Sequence, residues 1–162
     1  MANTYLTRTP SVAGNRKTFT ISYWIKRSKL STEQSVCGVY ETANTNFVAM
    51  LNTDDNIEMK FKINGANNKL QTNAKFRDVS AWYHIVLAVD TTDGTASNRF
   101  KLYVNGTQTT SFDTASYPNQ NVNTEVNLNG LQFRIGEDGN GGNHFDGSMS
   151  HFHLIDGTAY DA

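Results

Sequence analysis

The chain has 162 residues, 38% of them hydrophobic, with 14 Lys+Arg against 15 Asp+Glu for a net charge of −1. That length supports one core and argues against a second. The densest basic stretch is only Lys26, Arg27 and Lys29, so the clustered positive charge that grips nucleic acid is missing. No apolar run approaches the roughly 20 residues of a membrane helix, so no membrane insertion is expected. The opening stretch MANTYLTRTPSVAGNRKTFT lacks the apolar segment of a secretory signal. Asn and Thr are frequent, and Thr favours strands while Asn favours turns.

In chain order, TFTISYWIKR places Phe19, Ile21, Tyr23 and Ile25 on one face of a strand. SVCGVY is an apolar strand-like run holding the single cysteine, Cys37, which excludes an internal disulfide and is read as a buried, inert thiol. NIEMKFKI sets Ile57, Met59, Phe61 and Ile63 against Glu58, Lys60 and Lys62. WYHIVLAV, residues 82–89, is nearly continuous in apolar character and reads as a central strand covered on both faces. His84 within it is read as a hydrogen-bonded packing residue, and Trp24 and Trp82 as core side chains. RFKLYVN alternates again. Asn64-Gly65, Asn105-Gly106 and Asn129-Gly130 are signals for type I′ turns, in which both central residues take positive φ. Residues 113–127 are expected to form a surface loop, FRI (133–135) a strand end and SMSHFHLI (148–155) a closing strand. No 3.6-residue stripe lasts three turns, so no substantial helix is predicted. Short strands, frequent turns and no helices predict an all-β, antiparallel two-sheet sandwich.

Residues 135–157, IGEDGNGGNHFDGSMSHFHLIDG, concentrate glycines, carboxylates, amides and three histidines. The glycines match no phosphate-binding spacing and no helix follows them. Glu137, Asp138, Asn140, Asn143 and Asp146 are oxygen donors of the kind calcium takes, so calcium is the cofactor to test. The plain alternative, a solvated loop, is preferred. Asp90, Asp93 and Asn98 form a weaker second set. His151 and His153, two apart, are expected to share one strand face, with Phe152 and Leu154 facing the core. Zinc held by this pair with His144 is weighed and set below an exposed-strand reading.

Three ordered segments, TFTISYWIKR, WYHIVLAVD…FKLYVNGTQ and FRIGEDGNGGNHFDGSMSHFHLIDG, resemble laminin-G-like domains of the concanavalin A-like lectin/glucanase superfamily, over about residues 18–157. YLTRTPSVAGNRKTFTISYWIKRS, WYHIVLAVDTT…SNRFKLYVNG and HLIDGTAYD are also similar to modules in structural proteins of marine tailed phages. The resemblance implies a jelly-roll sandwich, either as a bare module of 162 residues or as a piece of a longer chain. It implies calcium at a loop rim, and recognition of a host-surface glycan or a structural role touching other virion subunits. It places the protein on the virion, outside the cell after release, and admits an oligomer. Glucanases of the superfamily carry acids alternating on one strand, and glycoside hydrolysis takes two carboxyls about 5–10 Å apart. No strand here carries such a row, so an enzyme is not expected. Sugar binding takes aromatic platforms and planar amides. Tyr40, Tyr117, Phe112 and Phe145 are candidate platforms. Asn44, Asn46, Asn119, Asn121, Asn140, Asn143 and His144 are candidate polar partners.

Overall fold

The computed structural model describes residues 4–162. Its strands are β1 (Leu6–Arg8), β2 (Thr18–Arg27), β3 (Gln34–Thr42), β4 (Thr45–Leu51), β5 (Asn56–Ile63), β6 (Ala66–Lys75), β7 (Tyr83–Asp90), β8 (Phe100–Val104), β9 (Thr107–Gln108), β10 (Phe112–Ser116), β11 (Phe133–Ile135) and β12 (Gly147–Asp156). One helical turn, Ala96–Arg99, precedes β8. Among the described residues no helix is long and apolar enough to cross a membrane.

The strands form two antiparallel sheets, a larger one in the order β1-β11-β3-β4-β5-β6-β10 and a smaller one in the order β12-β2-β7-β8-β9. Alternation decides which side chains meet between them. Phe19, Ile21, Tyr23 and Ile25 of β2 point inward with Ile85, Leu87 and Val89 of β7. They meet Val39, Phe47, Met59, Phe61 and Leu70 of the larger sheet. Phe61 joins the layers, its ring centroid 4.4 Å from Phe47, 4.5 Å from Phe100 and 6.5 Å from Phe19. Cys37 is fully buried in this core, and burial pushes its thiol far above the usual range.

The Asn-Gly signals at 64–65 and 105–106 do form turns with both residues at positive φ, as type I′ requires. Asn129-Gly130 differs. Only Gly130 takes positive φ, and Leu131 N donates to Leu128 O, the pattern of a type II turn. His151 and His153 do not alternate simply. The β12–β2 register slips between Ser150 and His153, and His151 has φ of 49°. The extra residue of this bulge turns His151 out of step with His153. Phe152 and Leu154 still pack on the core, Phe152 stacking on Tyr23 at 5.6 Å.

One ion pair crosses from sheet to sheet. Arg27, at the end of β2, lies with its side chain wholly buried 2.9 Å from Asp55 in the β4–β5 turn. Arg27 also donates to the carbonyls of Lys29 and Phe76. Asp55 accepts from the Ser31 amide at 2.8 Å and from Arg77 Nε at 3.0 Å. Burial opposes ionisation of Asp55, but the Ser31 amide and the Arg77 and Arg27 guanidiniums outweigh it and hold its carboxyl below the usual carboxylate range. Asp55→Asn leaves a buried guanidinium without its counter-ion and is expected to cost about 3–5 kcal/mol in urea unfolding. Because Asp55 releases its proton at lower pH when folded than when unfolded, its stabilisation is complete above about pH 4 and is lost as pH falls through the folded value. The acid limb of a stability–pH curve is therefore expected to be shallower in Asp55→Asn than in the parent.

Candidate binding face on the larger sheet

The outward-facing side chains of the larger sheet form an ordered band, because each register pair places like faces together. Gly38 stands opposite Val48, Val48 opposite Lys60, and Lys60 opposite Lys69, which in turn faces Ser116. Beside this row run Tyr40, Asn46, Lys62 and Asn67 in the same strand order. From β3 to β10 the band crosses four strand gaps, about 20 Å at the usual spacing.

The glycine-rich loop closes one end of the band. It lies flat on β3 because Gly38 and Gly139 have no side chains at the crossing. A Cβ on Gly38 would stand 2.5 Å from Gly139 N, and one on Gly139 would collide with the β3 backbone at Val39 and Tyr40. The loop is pinned by backbone bonds from Ser35 N to Asn143 O (2.6 Å), Gly136 N to Val36 O (2.8 Å) and Phe145 N to Gly136 O (2.8 Å). Asp138 Oδ1 accepts from the amides of Asn140 and Gly142, both at 2.8 Å. Asn143 Nδ2 donates to Glu33 Oε1 at 2.8 Å and reaches Asp138 Oδ2 at 3.3 Å. A cleft of about 320 Å³ lies between this loop and the sheet, lined in part by Tyr40, Asn46, Lys60, Asp138, Asn140 and Asn143. Its acidic walls already hold protein donors: Glu33 accepts from Asn143, and Glu58 lies 3.4 Å from Lys69 Nζ.

Tyr117 and Asn119 line a separate cleft of about 400 Å³ with Asn64, Asn67 and Asn68. A small hollow along Glu58, Lys60, Asn67, Lys69, Thr114 and Ser116 links the two clefts along the band. The sequence-predicted residues therefore divide between the loop end of this face and a rim cleft beside its far end. Asn121 stays outside both clefts on the same loop, its amide donating to Thr91 O. His144 turns the other way, into a rim cleft of about 530 Å³ with Tyr5, Lys29, Gln34, Phe145 and Asp146. Phe112, Tyr117 and Phe145 pack partly on the core, which limits them as platforms, whereas Tyr40 stands on the open face. Lys60, Lys69 and Ser116 were missed as site residues. Their alternation was legible in the sequence, but which face of each sheet stays open was not.

As folded here, the five residues expected to hold calcium do not make one donor set. Glu137 is buried 2.6 Å from Arg134 Nη1, beside a cation rather than in place for another. Its other oxygen is 3.3 Å from His144 Nδ1, without hydrogen-bond geometry. Asp138 bonds its own loop, and Asp146 accepts from Ser28 Oγ. Among the described residues no three His, Cys, Asp or Glu side chains are placed to hold a metal ion, the histidine set included. Recruiting Glu137 to a calcium ion would require it to leave Arg134. The melting temperature is expected to be unchanged by EDTA or by millimolar Ca²⁺; a rise with calcium would show the loop rebuilding around an ion. Gly38→Ala, which forces backbone against backbone, is expected to cost about 1–3 kcal/mol in the same assay and to expose residues 138–143 to limited proteolysis.

The architecture has solved counterparts. Domain 4 of AbnA, a GH43 extracellular arabinanase from Geobacillus stearothermophilus in complex with arabinotriose, superimposes with a TM-score of 0.71 at 18% identity, covering 97% of this chain and 68% of that one. The CBM40 of Ruminococcus gnavus IT-sialidase, bound to α2,3-sialyllactose, gives 0.65 at 16% identity over 96% of this chain and 94% of that one. Mouse laminin α1 domains LG4-5 give 0.60 at 11% identity over 97% and 40%. At these identities the likeness is one of fold. No curated protein matches the chain in sequence. The laminin-G family profile described as the concanavalin A-like lectin/glucanases superfamily does match, over residues 2–160, and the chain, a two-sheet sandwich, belongs to that family.

Proposed function

We propose that this chain is a non-catalytic carbohydrate-recognition module that lays an extended glycan across the outer face of its larger sheet. The observation that carries this reading is the linked band itself. Tyr40 offers a ring face to a sugar, with the amides of Asn46, Asn140 and Asn143 around it to meet hydroxyls. Tyr117 and Asn119 hold the far end. Planar amides donate and accept at once, which suits the paired hydroxyls of a sugar ring. Support also comes from the AbnA domain and the CBM40, whose structures hold arabinotriose and sialyllactose. The non-catalytic part of the reading rests on the sequence, in which no strand carries a row of alternating acids.

The setting we propose is a phage virion, where the module meets host-surface glycan outside the cell. The likeness of three segments to marine tailed-phage modules supports it. Contact with other virion subunits is the alternative partner, and mass spectrometry of purified virions tests the setting.

The binding reading is tested on a glycan array. Asn140→Ala and Tyr40→Ala are expected to weaken retention of the best-bound glycan at least tenfold, with melting temperatures kept. Tyr117→Ala is expected to weaken only the longer oligosaccharides. Silence of the parent across the array, or undiminished binding by both near-loop variants, overturns the proposal; release of sugar from the bound glycan overturns its non-catalytic part.

A further inference from the structure

The outer face of the smaller sheet is covered in part. The C-terminal segment folds back over it, with Thr20 Oγ1 donating to Thr158 O and accepting from Tyr160 N, both at 2.8 Å. Ala159 packs on Val86, Ala88 and Tyr103, and Tyr103 donates to Asp161. One end of the face stays uncovered, and there the chain places both of its tryptophans. Trp24 is 39% exposed and Trp82 is 42% exposed, where core positions were expected. The reason is register: Trp24 alternates with the inward Tyr23 and Ile25, and Trp82 shares the outward face with His84.

The two indoles, Ser150 and His151 line an open cleft of about 440 Å³. Its geometry is fixed from beneath. Ser150, Trp24 and His84 stand side by side on three neighbouring strands. The His84 ring stacks on Trp24 with centroids 4.8 Å apart and planes 12° from parallel. Its Nε2 lies 3.0 Å from Ser22 Oγ, which stops the ring from turning. At the rim, His151 is turned out by the bulge at φ of 49°, its Nδ1 2.6 Å from Ser150 Oγ. A non-glycine residue in that conformation carries strain that the surrounding structure must hold.

We propose that this cleft is a second carbohydrate site, on the opposite sheet from the first, and that it takes an uncharged pyranose ring. The Trp24 indole, held against His84, and the Trp82 indole across the cleft offer the apolar, electron-rich ring surfaces that the C–H face of a sugar packs on. Ser150 and the imidazole of His151 supply rim donors and acceptors for hydroxyls. The lining holds no carboxylate, lysine or arginine, so it selects no acidic sugar. The site stands independently of the larger-sheet reading.

Because the chain has two tryptophans and both are here, intrinsic tryptophan fluorescence reports on this cleft and not on the larger sheet. The probes are cellohexaose, xylohexaose, mannohexaose and arabinohexaose, with hexagalacturonate as the acidic contrast. At least one neutral hexaose is expected to shift the emission saturably, and Asn140→Ala on the other face is expected to leave that shift intact. Trp82→Ala, read through the remaining Trp24, is expected to weaken it at least tenfold, as is Trp24→Ala read through Trp82. Ser150→Ala, which keeps both indoles, is expected to weaken it several-fold and guards against a folding artefact. The proposal is overturned by emission that no neutral probe moves, by equal or tighter response to hexagalacturonate, or by a shift abolished in Asn140→Ala. A concentration-dependent dimer that the tryptophan variants dissolve would likewise overturn it, assigning the cleft to a second copy of the chain.

Discussion

The buried pair of Arg27 and Asp55 is the constraint on which the glycine-rich loop end of the molecule depends. Both ions are buried, so Arg27 loses its counter-ion if Asp55 moves away, whereas Asp55 keeps Arg77 as a second partner. Arg27 belongs to the smaller sheet and Asp55 to the larger, so the pair locks the two layers together at one end. The segment that follows Arg27 inherits that fixity. Ser31 is held by Asp55, and Gln34 Nε2 donates to Lys29 O. Glu33 and Gln34 then present acceptors to Asn143 and to the Asp146 amide. The glycine-rich loop is thus placed by a chain of bonds that begins at a charge pair in the protein interior.

The sandwich separates its labours by face. Inward residues of both sheets make one largely apolar layer, with the Arg27–Asp55 pair at one end. The outward residues need not be apolar, and the two outward surfaces are unlike. The larger sheet shows amides, lysines and one tyrosine under a polar loop. The smaller sheet shows two indoles, one stacked on an imidazole, next to a segment of chain that covers part of the face. A polymer held on one surface leaves the other open, so occupancy of the two need not compete.

Much of the fold was legible because period-two alternation is a physical requirement of a half-buried strand. TFTISYWIKR and NIEMKFKI fall on β2 and β5 residue for residue. WYHIVLAV is central, between β2 and β8, and the outward Val86 and Ala88 are covered by Ala159. The amide-rich loop was recognised as a feature from its composition. Alternation fixes which residues share a face but not whether that face looks into the core or outward, and Trp24 shows the consequence, since a large aromatic on a strand suggests burial. His151 was misplaced because a bulge adds a residue without leaving a mark in the pattern. The partnership of Arg27 with Asp55 spans 28 positions, and no local pattern announces it. The candidate amides were found, but their division between the two ends of one sheet depends on strand order, which only the fold supplies.

The seat of the 138–143 loop on β3 is made of main chain against main chain at Gly38 and Gly139. That crossing asks nothing of the loop's side chains, whose own ties run through Asp138 and Asn143. Substitutions at Asn140, whose side chain is not among the loop's ties, can re-tune what the cleft prefers without unseating the loop. The two glycines act as a fixed mount and the residue between them and the groove as an exchangeable tip, so selectivity can drift through descent while the scaffold stands still.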